Sequence, residues 1–144
     1  MYWPLYLILV LAIIYSVAYF TTQGGSVADK ESILIDFDGT IHQYRTPSSG
    51  GDIPDPPVLG TRIALQKLRK KYKVIIFSTR ARTATGIKAI RRWLYENDIK
   101  VDDIVSEKIP TRLIIDDRAI QFKGNWDTIM PKIDTFLPWN RRNK

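Results

Sequence analysis

The chain has 144 residues, enough for one domain with a hydrophobic core but too few for two domains of ordinary size. Hydrophobic residues make up 44% of it, which argues against a disordered chain, and its formal net charge is +7. The sequence has no cysteine, which excludes disulfides, thiolate metal ligands and cysteine nucleophiles.

The chain begins with an uncharged, apolar run at residues 2–20. A helix of this length spans about 28 Å, close to the thickness of the hydrocarbon core of a bilayer. We therefore predict a transmembrane anchor over residues 1–21 and a linker over 22–31. A cleaved signal peptide is the main alternative, although no basic residue precedes the run. A buried core helix is disfavoured because every face of the run is apolar.

All Lys and Arg residues follow the apolar run, the first being Lys30. The positive-inside tendency therefore predicts a single-pass membrane protein whose C-terminal domain lies in the cytoplasm.

The next part of the chain alternates short apolar runs with a helical pattern. It predicts a strand over 33–36, a loop rich in Pro, Gly and Ser over 40–57, a helix near 58–71 and a strand over 74–77. The apolar face of that helix comprises Val58, Ile63, Leu65 and Leu68.

The same alternation continues to the C-terminus. It predicts a helix over 84–96, short strands over 103–106 and 112–116, and a last helix near 125–136. Strands that alternate with helices predict an α/β fold, with a Rossmann-like parallel sheet covered by helices on both faces. We place this domain at residues 32–138 and a basic tail at 139–144.

Polar side chains follow the predicted strands at the point where each strand ends. They are Asp36 and Asp38 after the first, Ser78, Thr79 and Arg80 after the second, Lys108 after the third, and Asp116, Asp117 and Arg118 after the fourth. The carboxyl ends of parallel strands meet at one edge of a sheet, so these side chains should converge there. Clustered carboxylates repel one another unless a cation lies among them, and an oxygen ligand set favours Mg²⁺.

The motif Asp36-Phe37-Asp38-Gly39-Thr40 resembles the first motif of the haloacid dehalogenase (HAD) superfamily in its phosphatase form. The Ser or Thr of IIFSTR, the Lys of SEKIP and the acidic pair of IIDDRAI follow in the order of that superfamily. The resemblance covers about residues 32–137, and the chain is also similar to small HAD-like hydrolases of bacteria and phages.

The resemblance implies a phosphatase in which Asp36 attacks phosphorus and forms an aspartyl-phosphate. It implies that Asp38 is the general acid and base. Mg²⁺ would be held by Asp36, by the backbone carbonyl of Asp38 and by one of Asp116 or Asp117.

The resemblance also implies that a hydroxyl group and a lysine contact the phosphoryl group. We favour Ser78 over its neighbour Thr79 as the hydroxyl donor, and Lys108 as the neutralising cation. Arg80 and Arg118 could bind further substrate phosphates, or could be ordinary surface charges.

The spacing of these motifs leaves no room for the cap domain that many HAD enzymes carry. Between Asp38 and Ser78 the chain holds only a loop and one helix. We therefore expect an open site and a bulky or macromolecular phosphorylated substrate. His42, the only histidine, lies in the loop; it could contact substrate, although a lone histidine in a loop more often has no such role.

Two alternatives remain open. The first is a phosphatase that acts on nucleotides or on polynucleotide ends. It is suggested by the basic residues concentrated at 62–73 and in the last four positions, which could face nucleic acid or anionic lipid. The other is a receiver-like or degenerate module that binds metal or phosphate without turnover. Receiver domains, however, carry the acidic pair on the first strand, the reverse of the order found here.

Overall fold

The computed structural model describes residues 30–46 and 51–141. The predicted anchor and most of the predicted linker lie outside these described residues. Within them, no helix is long and apolar enough to cross a membrane. The chain divides into two units, Met1–Lys30 and Glu31–Lys144, and the elements named below belong to the second.

Four parallel strands form one sheet, which confirms the predicted α/β class with a parallel sheet. The strands are β1 (Ser32–Asp36), β2 (Lys73–Phe77), β3 (Asp103–Val105) and β4 (Leu113–Ile115). Their order across the sheet is β3-β2-β1-β4. The middle residues of the two central strands, β1 and β2, are at most 2% exposed, as expected for strands buried on both faces.

The connection between β3 and β4 joins opposite edges of the sheet. Only residues 106–112 are available for it, and they contain no helix. This short crossing differs from the helical connections that precede β2 and β3.

Two longer helices, α1 (Thr61–Arg69) and α2 (Ala84–Glu96), follow β1 and β2 in the chain. The bounds predicted for α2 are confirmed, and its first turn is capped by the Thr83 side chain, which accepts a hydrogen bond from the Gly86 amide. Helix α1 is shorter than predicted at both ends, and it begins only after Gly60, which lies in the left-handed conformation with φ of 85°. Ile63 is exposed, so its assignment to the apolar face was wrong.

Both longer helices cover the same face of the sheet. Ile33, Ile35, Val74 and Ile76 alternate with their neighbours along β1 and β2 and therefore share a face. They form one buried cluster with side chains from both helices, namely Leu65, Ile90, Trp93 and Leu94. The expectation of helices on both faces is therefore not met by α1 and α2.

The region after β3 is less well buried than this core. The three residues of β4 are each about 40% exposed. The single helix predicted near 125–136 is wrong: the chain forms a 3-10 turn at Trp126–Thr128 and a four-residue helix, α3 (Met130–Ile133). Pro131 lies in the first turn of α3 and has no amide hydrogen to continue a hydrogen-bonded helix from the preceding turn.

Candidate active site

The pairing of β1 with β4 brings three carboxylates together. Ile35 is in register with Ile115, so Asp36 and Asp116 follow at adjacent strand ends. One carboxylate oxygen from each of Asp36, Asp116 and Asp117 lies within 4.8 Å of the others. The described residues therefore contain a set of oxygen donors of the kind that a hard divalent cation prefers.

Asp117 is the most constrained of the three. Both of its carboxylate oxygens are buried and have no hydrogen-bond partner. Its backbone N–H donates to the Thr40 hydroxyl at 3.1 Å, and its side chain occupies the space beside Gly39, where a Cβ would lie 2.5 Å from Oδ2. Gly39 also has a φ of 100°, so the Gly-Thr pair after Asp38 serves to admit and hold Asp117.

Burial and crowding raise the pKa of two of these acids, Asp36 and Asp117. Burial, followed by repulsion from Asp116, Asp117 and Asp38, raises the pKa of Asp36 to about 7. Burial also raises the pKa of Asp117, although Arg118 opposes the shift. A buried carboxylate without a partner is costly, and a divalent cation bound by this set would supply the missing positive charge. The donor set therefore fits Mg²⁺.

Asp38 lies in the opposite electrostatic environment. Its Oδ2 accepts a hydrogen bond from Arg80 Nε at 2.7 Å, and its Oδ1 lies 3.1 Å from His42 Nδ1. Burial alone would raise the pKa of Asp38, but the hydrogen bonds from His42 and Arg80 outweigh it and hold the pKa below its usual range. The pKa values of Asp36 and Asp38, two aspartates separated by one residue, are therefore shifted in opposite directions.

His42 is the residue that sequence reasoning missed. Its ring is fully buried, 5.6 Å from the ring of Phe37 and 5.6 Å from that of Trp93. Its Nε2 accepts a hydrogen bond from the Asp55 amide at 3.3 Å, so the proton lies on Nδ1 and is donated to Asp38. The only sequence signal was a histidine four residues after an acidic motif, which is too common to identify such a bridge.

Asp55 extends this contact into the long loop after β1. Its carboxylate accepts hydrogen bonds from the amides of Arg45 and Thr46 at 2.6 and 2.7 Å, and its carbonyl accepts one from Trp93 Nε1 at 3.1 Å. The conformation of the loop, the position of His42 and the orientation of Asp38 are therefore connected by hydrogen bonds.

A cleft of about 240 Å³ opens at the carboxyl ends of the strands. It is lined by Asp36, Asp38, Tyr44, Phe77, Ser78, Thr79, Asp116 and Arg118. Ser78 is buried, and its hydroxyl oxygen accepts the Arg80 amide at 3.2 Å, which leaves the hydroxyl proton for an acceptor in the cleft. Thr79 also lines the cleft but is exposed.

The two arginines predicted to bind substrate lie differently. Arg80 binds Asp38 and also donates from Nη1 to the Asp52 carbonyl at 3.4 Å, so it orients the site rather than pointing freely into it. Arg118 lines the cleft, and its guanidinium lies 6.0 Å from the centre of the Tyr44 ring. Arg118 is thus the better placed of the two for a substrate anion.

Lys108 lies at the margin of this arrangement. Its side chain is exposed, and its ammonium lies 6.0 Å from the centre of the Phe77 ring, which itself lines the cleft. No ion pair found among the described residues joins Lys108 to an acid of the site.

Residues assigned by sequence to a tail also reach the site. Trp139 Nε1 donates to the Gly39 carbonyl at 2.6 Å. The amide nitrogen of Asn140, which is buried, donates to the carbonyls of Gln43 and Tyr44, each at 3.1 Å. The folded domain therefore extends at least to Arg141, which ends the 3-10 turn that contains both residues.

Comparisons of the chain with protein-family models, with curated proteins and with solved structures gave no match.

Proposed function

We propose that the chain is a Mg²⁺-dependent phosphomonoester hydrolase of the HAD-like class, without a cap domain, that works through an aspartyl-phosphate on Asp36. One observation supports it above the others: Asp36, Asp116 and Asp117 converge while the buried oxygens of Asp117 have no partner. The same cleft contains Asp38 and Ser78, which could serve the two remaining chemical roles.

In the proposed reaction, a carboxylate oxygen of Asp36 attacks phosphorus as the bond from phosphorus to the leaving oxygen breaks. The leaving oxygen takes its proton from Asp38, and the Ser78 hydroxyl donates a hydrogen bond to a phosphoryl oxygen. Water then attacks phosphorus, loses a proton to Asp38 and releases inorganic phosphate, which regenerates the Asp36 carboxylate. Mg²⁺ held by the acidic set would offset the charges of nucleophile and substrate and lower the pKa of Asp36.

The surroundings of the cleft bear on substrate and location. The spacing of the motifs leaves no room for a cap domain, which suits a bulky phosphorylated substrate. We further propose that residues 1–21 anchor the chain in a membrane with the catalytic domain in the cytoplasm, a proposal that rests on the sequence alone.

A second candidate is a module that binds metal or phosphate without turnover. It is favoured by the contacts of Asp38, because His42 and Arg80 stabilise its anionic form. An acid catalyst must first carry a proton, and a lowered pKa makes that form scarce at neutral pH. Under this candidate Asp36 would accept a phosphoryl group and keep it.

The test is phosphate release by the full-length chain in detergent, across a panel of phosphomonoesters, nucleotides and phosphorylated oligonucleotides, with Mg²⁺ or with EDTA. We expect release that requires Mg²⁺ and falls at least about 10³-fold in Asp36→Asn, because the nucleophile is lost. Asp134→Asn, an exposed acid outside the cleft, is the matched control and should retain activity.

The other outcomes separate the candidates. A stable phosphoprotein that forms on the wild type but not on Asp36→Asn, without release of phosphate, would support the binding module. Activity that survives EDTA or the Asp36→Asn substitution would exclude the proposed mechanism. Preference for oligonucleotides over mononucleotides at matched salt would point to polynucleotide ends as the substrate.

A further inference from the structure

The basic residues of the chain are unevenly distributed. Residues 61–100 carry twelve basic residues and only two acidic ones, whereas the rest of the chain carries ten basic and thirteen acidic ones. The positive net charge therefore belongs to this segment, which contains helices α1 and α2. A concentration of positive charge of this kind attracts polyanions.

Four exposed residues of α2 form a continuous surface, which we call the α2 stripe. They are Lys88, Arg91, Arg92 and Tyr95. Successive members are separated by three or four positions, or are direct neighbours, so all four lie on one side of the helix. The buried side chains of α2, which are Ile90, Trp93 and Leu94, lie on the opposite side and pack into the core.

The three cations of the α2 stripe are available to a ligand. Within the part of the chain that the structure describes, no ion pair involves Lys88, Arg91 or Arg92. By contrast, two arginines of α1 are paired with aspartates. Glu96, at the edge of the stripe, is the only acidic residue of α2. The positive charge of the stripe is therefore largely uncompensated.

The composition of the α2 stripe favours a single-stranded nucleic acid over other polyanions. Cations along a helix contact backbone phosphates, and an exposed aromatic ring beside them stacks on an unpaired base. Tyr95 is 87% exposed and supplies such a ring. A lipid surface is disfavoured because, on α2, Tyr95 is the only large apolar side chain that is more than a third exposed.

The α2 stripe lies on a helix that begins beside the candidate site. The 3-10 turn Thr79–Arg82 connects the cleft to α2, and Thr79 lines the cleft. The first turn of α2 packs so closely against this turn that a Cβ at Gly86 would collide with the Arg80 carbonyl oxygen. A strand bound along the stripe would therefore lead toward the cleft.

We propose that the α2 stripe binds single-stranded nucleic acid, with its three cations on backbone phosphates and the Tyr95 ring stacked on a base. The binding itself does not depend on phosphatase activity. A role for the bound strand as substrate, with its phosphorylated end in the cleft, rests on the proposed function. Binding is therefore measured without Mg²⁺ and without a terminal phosphate, so that failure of either proposal is distinguishable from failure of the other.

The experiment measures fluorescence anisotropy of a fluorescein-labelled oligothymidylate of about 12 nucleotides, titrated with the full-length chain in neutral detergent and EDTA. The affinity is determined from about 50 to about 200 mM salt. The variant Lys88→Gln/Arg91→Gln/Arg92→Gln should bind at least about tenfold more weakly at the lower salt concentration. It should also reduce the slope of log K against log salt by about 2, because each lost phosphate contact contributes about 0.7.

The matched control removes the same number of charges from exposed positions in and just after α1. It is Lys67→Gln/Lys70→Gln/Lys71→Gln. We expect this variant to change the affinity by less than about threefold, because its charges lie outside the α2 stripe.

Tyr95 provides an independent test of base stacking. Tyr95→Ala should weaken binding of the oligonucleotide at least about fivefold and leave the salt slope unchanged, because the ring stacks but carries no charge. Tyr95→Phe keeps the ring and should bind as tightly as the wild type. Neither substitution should alter the binding of a duplex of the same length, whose bases are already paired and stacked.

Several results would overturn the proposal. Absence of binding by the wild type, or equal losses in the two triple variants, would show that the α2 stripe is not the binding surface. Full affinity of Tyr95→Ala would exclude base stacking and leave a surface for any polyanion. Release of the strand by mixed micelles containing phosphatidylglycerol, but not by phosphatidylcholine micelles at equal phosphate concentration, would identify anionic lipid as the preferred ligand.

Discussion

The two halves of the sheet differ sharply in burial, although both contribute to the candidate site. In the half formed by β1, β2, α1 and α2, the central strand residues are at most 2% exposed. In β4, every residue is about 40% exposed, and the chain that follows has only short helical turns as far as residue 141. Asp36, Asp38 and Ser78 come from the first half, whereas Asp116 and Asp117 come from the second.

This difference shows how the site depends on contacts other than core packing. The first half positions its side chains by apolar burial, which is strong and insensitive to ions. The second half is joined to it by the pairing of β4 with β1, by the hydrogen bond between Thr40 and Asp117, and by the hydrogen bond of Trp139 to Gly39. A cation bound by all three acids would add a further connection between the halves.

The largest expected contrast concerns packing. Ile76→Ala should lower the free energy of unfolding by about 2–5 kcal/mol, because Ile76 is fully buried and its loss leaves a cavity. Ile114→Ala on β4 should cost less than about 1.5 kcal/mol, because Ile114 is 42% exposed and little apolar area is lost. Denaturant unfolding of both variants measures the contrast, and equal losses would show that β4 is buried in solution.

A second effect concerns the acids and pH. Folding raises the pKa of Asp36 to about 7. The carboxyl group of Asp36 therefore contributes to the stability of the folded state. That contribution is complete below the ordinary pKa of an aspartate and is lost as the pH rises through about 7. Asp117 acts in the same direction. Asp117→Asn should therefore raise the melting temperature of the metal-free protein at pH 8, where the acids repel one another.

Mg²⁺ should remove the advantage in melting temperature that Asp117→Asn has over the wild type at pH 8. It should raise the melting temperature of the wild type more at pH 8 than at pH 5, since the ligands must be deprotonated, and should have little effect on Asp117→Asn. Thermal unfolding with Mg²⁺ or EDTA, with Asp134→Asn as the control, measures both effects. Equal stabilisation of wild type and Asp117→Asn by Mg²⁺ would remove Asp117 from the metal site.

The smallest expected effect concerns the C-terminal turn. Trp139→Phe keeps an aromatic ring but removes the hydrogen bond to the Gly39 carbonyl, at a cost of about 1 kcal/mol. Because Gly39 lies between Asp38 and Asp117, we expect weaker Mg²⁺ binding by about fivefold, measured by titration calorimetry. Trp126→Phe, on an exposed tryptophan, is the control, and an equal change in both variants would contradict a specific role for Trp139.

The first half was also the part of the fold that the sequence predicted well. The run Val-Ile-Ile-Phe gave β2 to within one residue, and the predicted bounds of α2 coincide with Ala84–Glu96. Local signals are strong in these elements: β-branched residues without interruption in the strand, and a threonine cap followed by apolar residues at helical spacing in the helix. The strand-end rule likewise indicated that Asp36, Asp38, Ser78 and Asp116 would share an edge, and they line one cleft.

What the sequence could not predict depends on contacts between distant residues. Arg80 binds Asp38 rather than facing solvent, and His42 bridges Asp38 and Asp55, because the loop after β1 folds back against α2. Trp139 and Asn140 looked like part of a tail because nothing local marks a residue that will bond to a loop about 100 positions earlier. The single helix predicted near 125–136 does not form, because Pro131 has no amide hydrogen for a continuous helix and because the segment buries little apolar surface.

The order of the strands has a consequence for how the site comes into being during folding. The hydrogen bond between Thr40 and Asp117 joins residues 77 positions apart, whereas β1, β2 and β3 are neighbours in both sequence and space. Closing so long a loop carries a larger entropic cost than pairing the nearer strands, which favours late docking of β4. The acids of the cleft would then remain apart in any partly folded chain, and such a chain would have no assembled binding site until the last strand is in place.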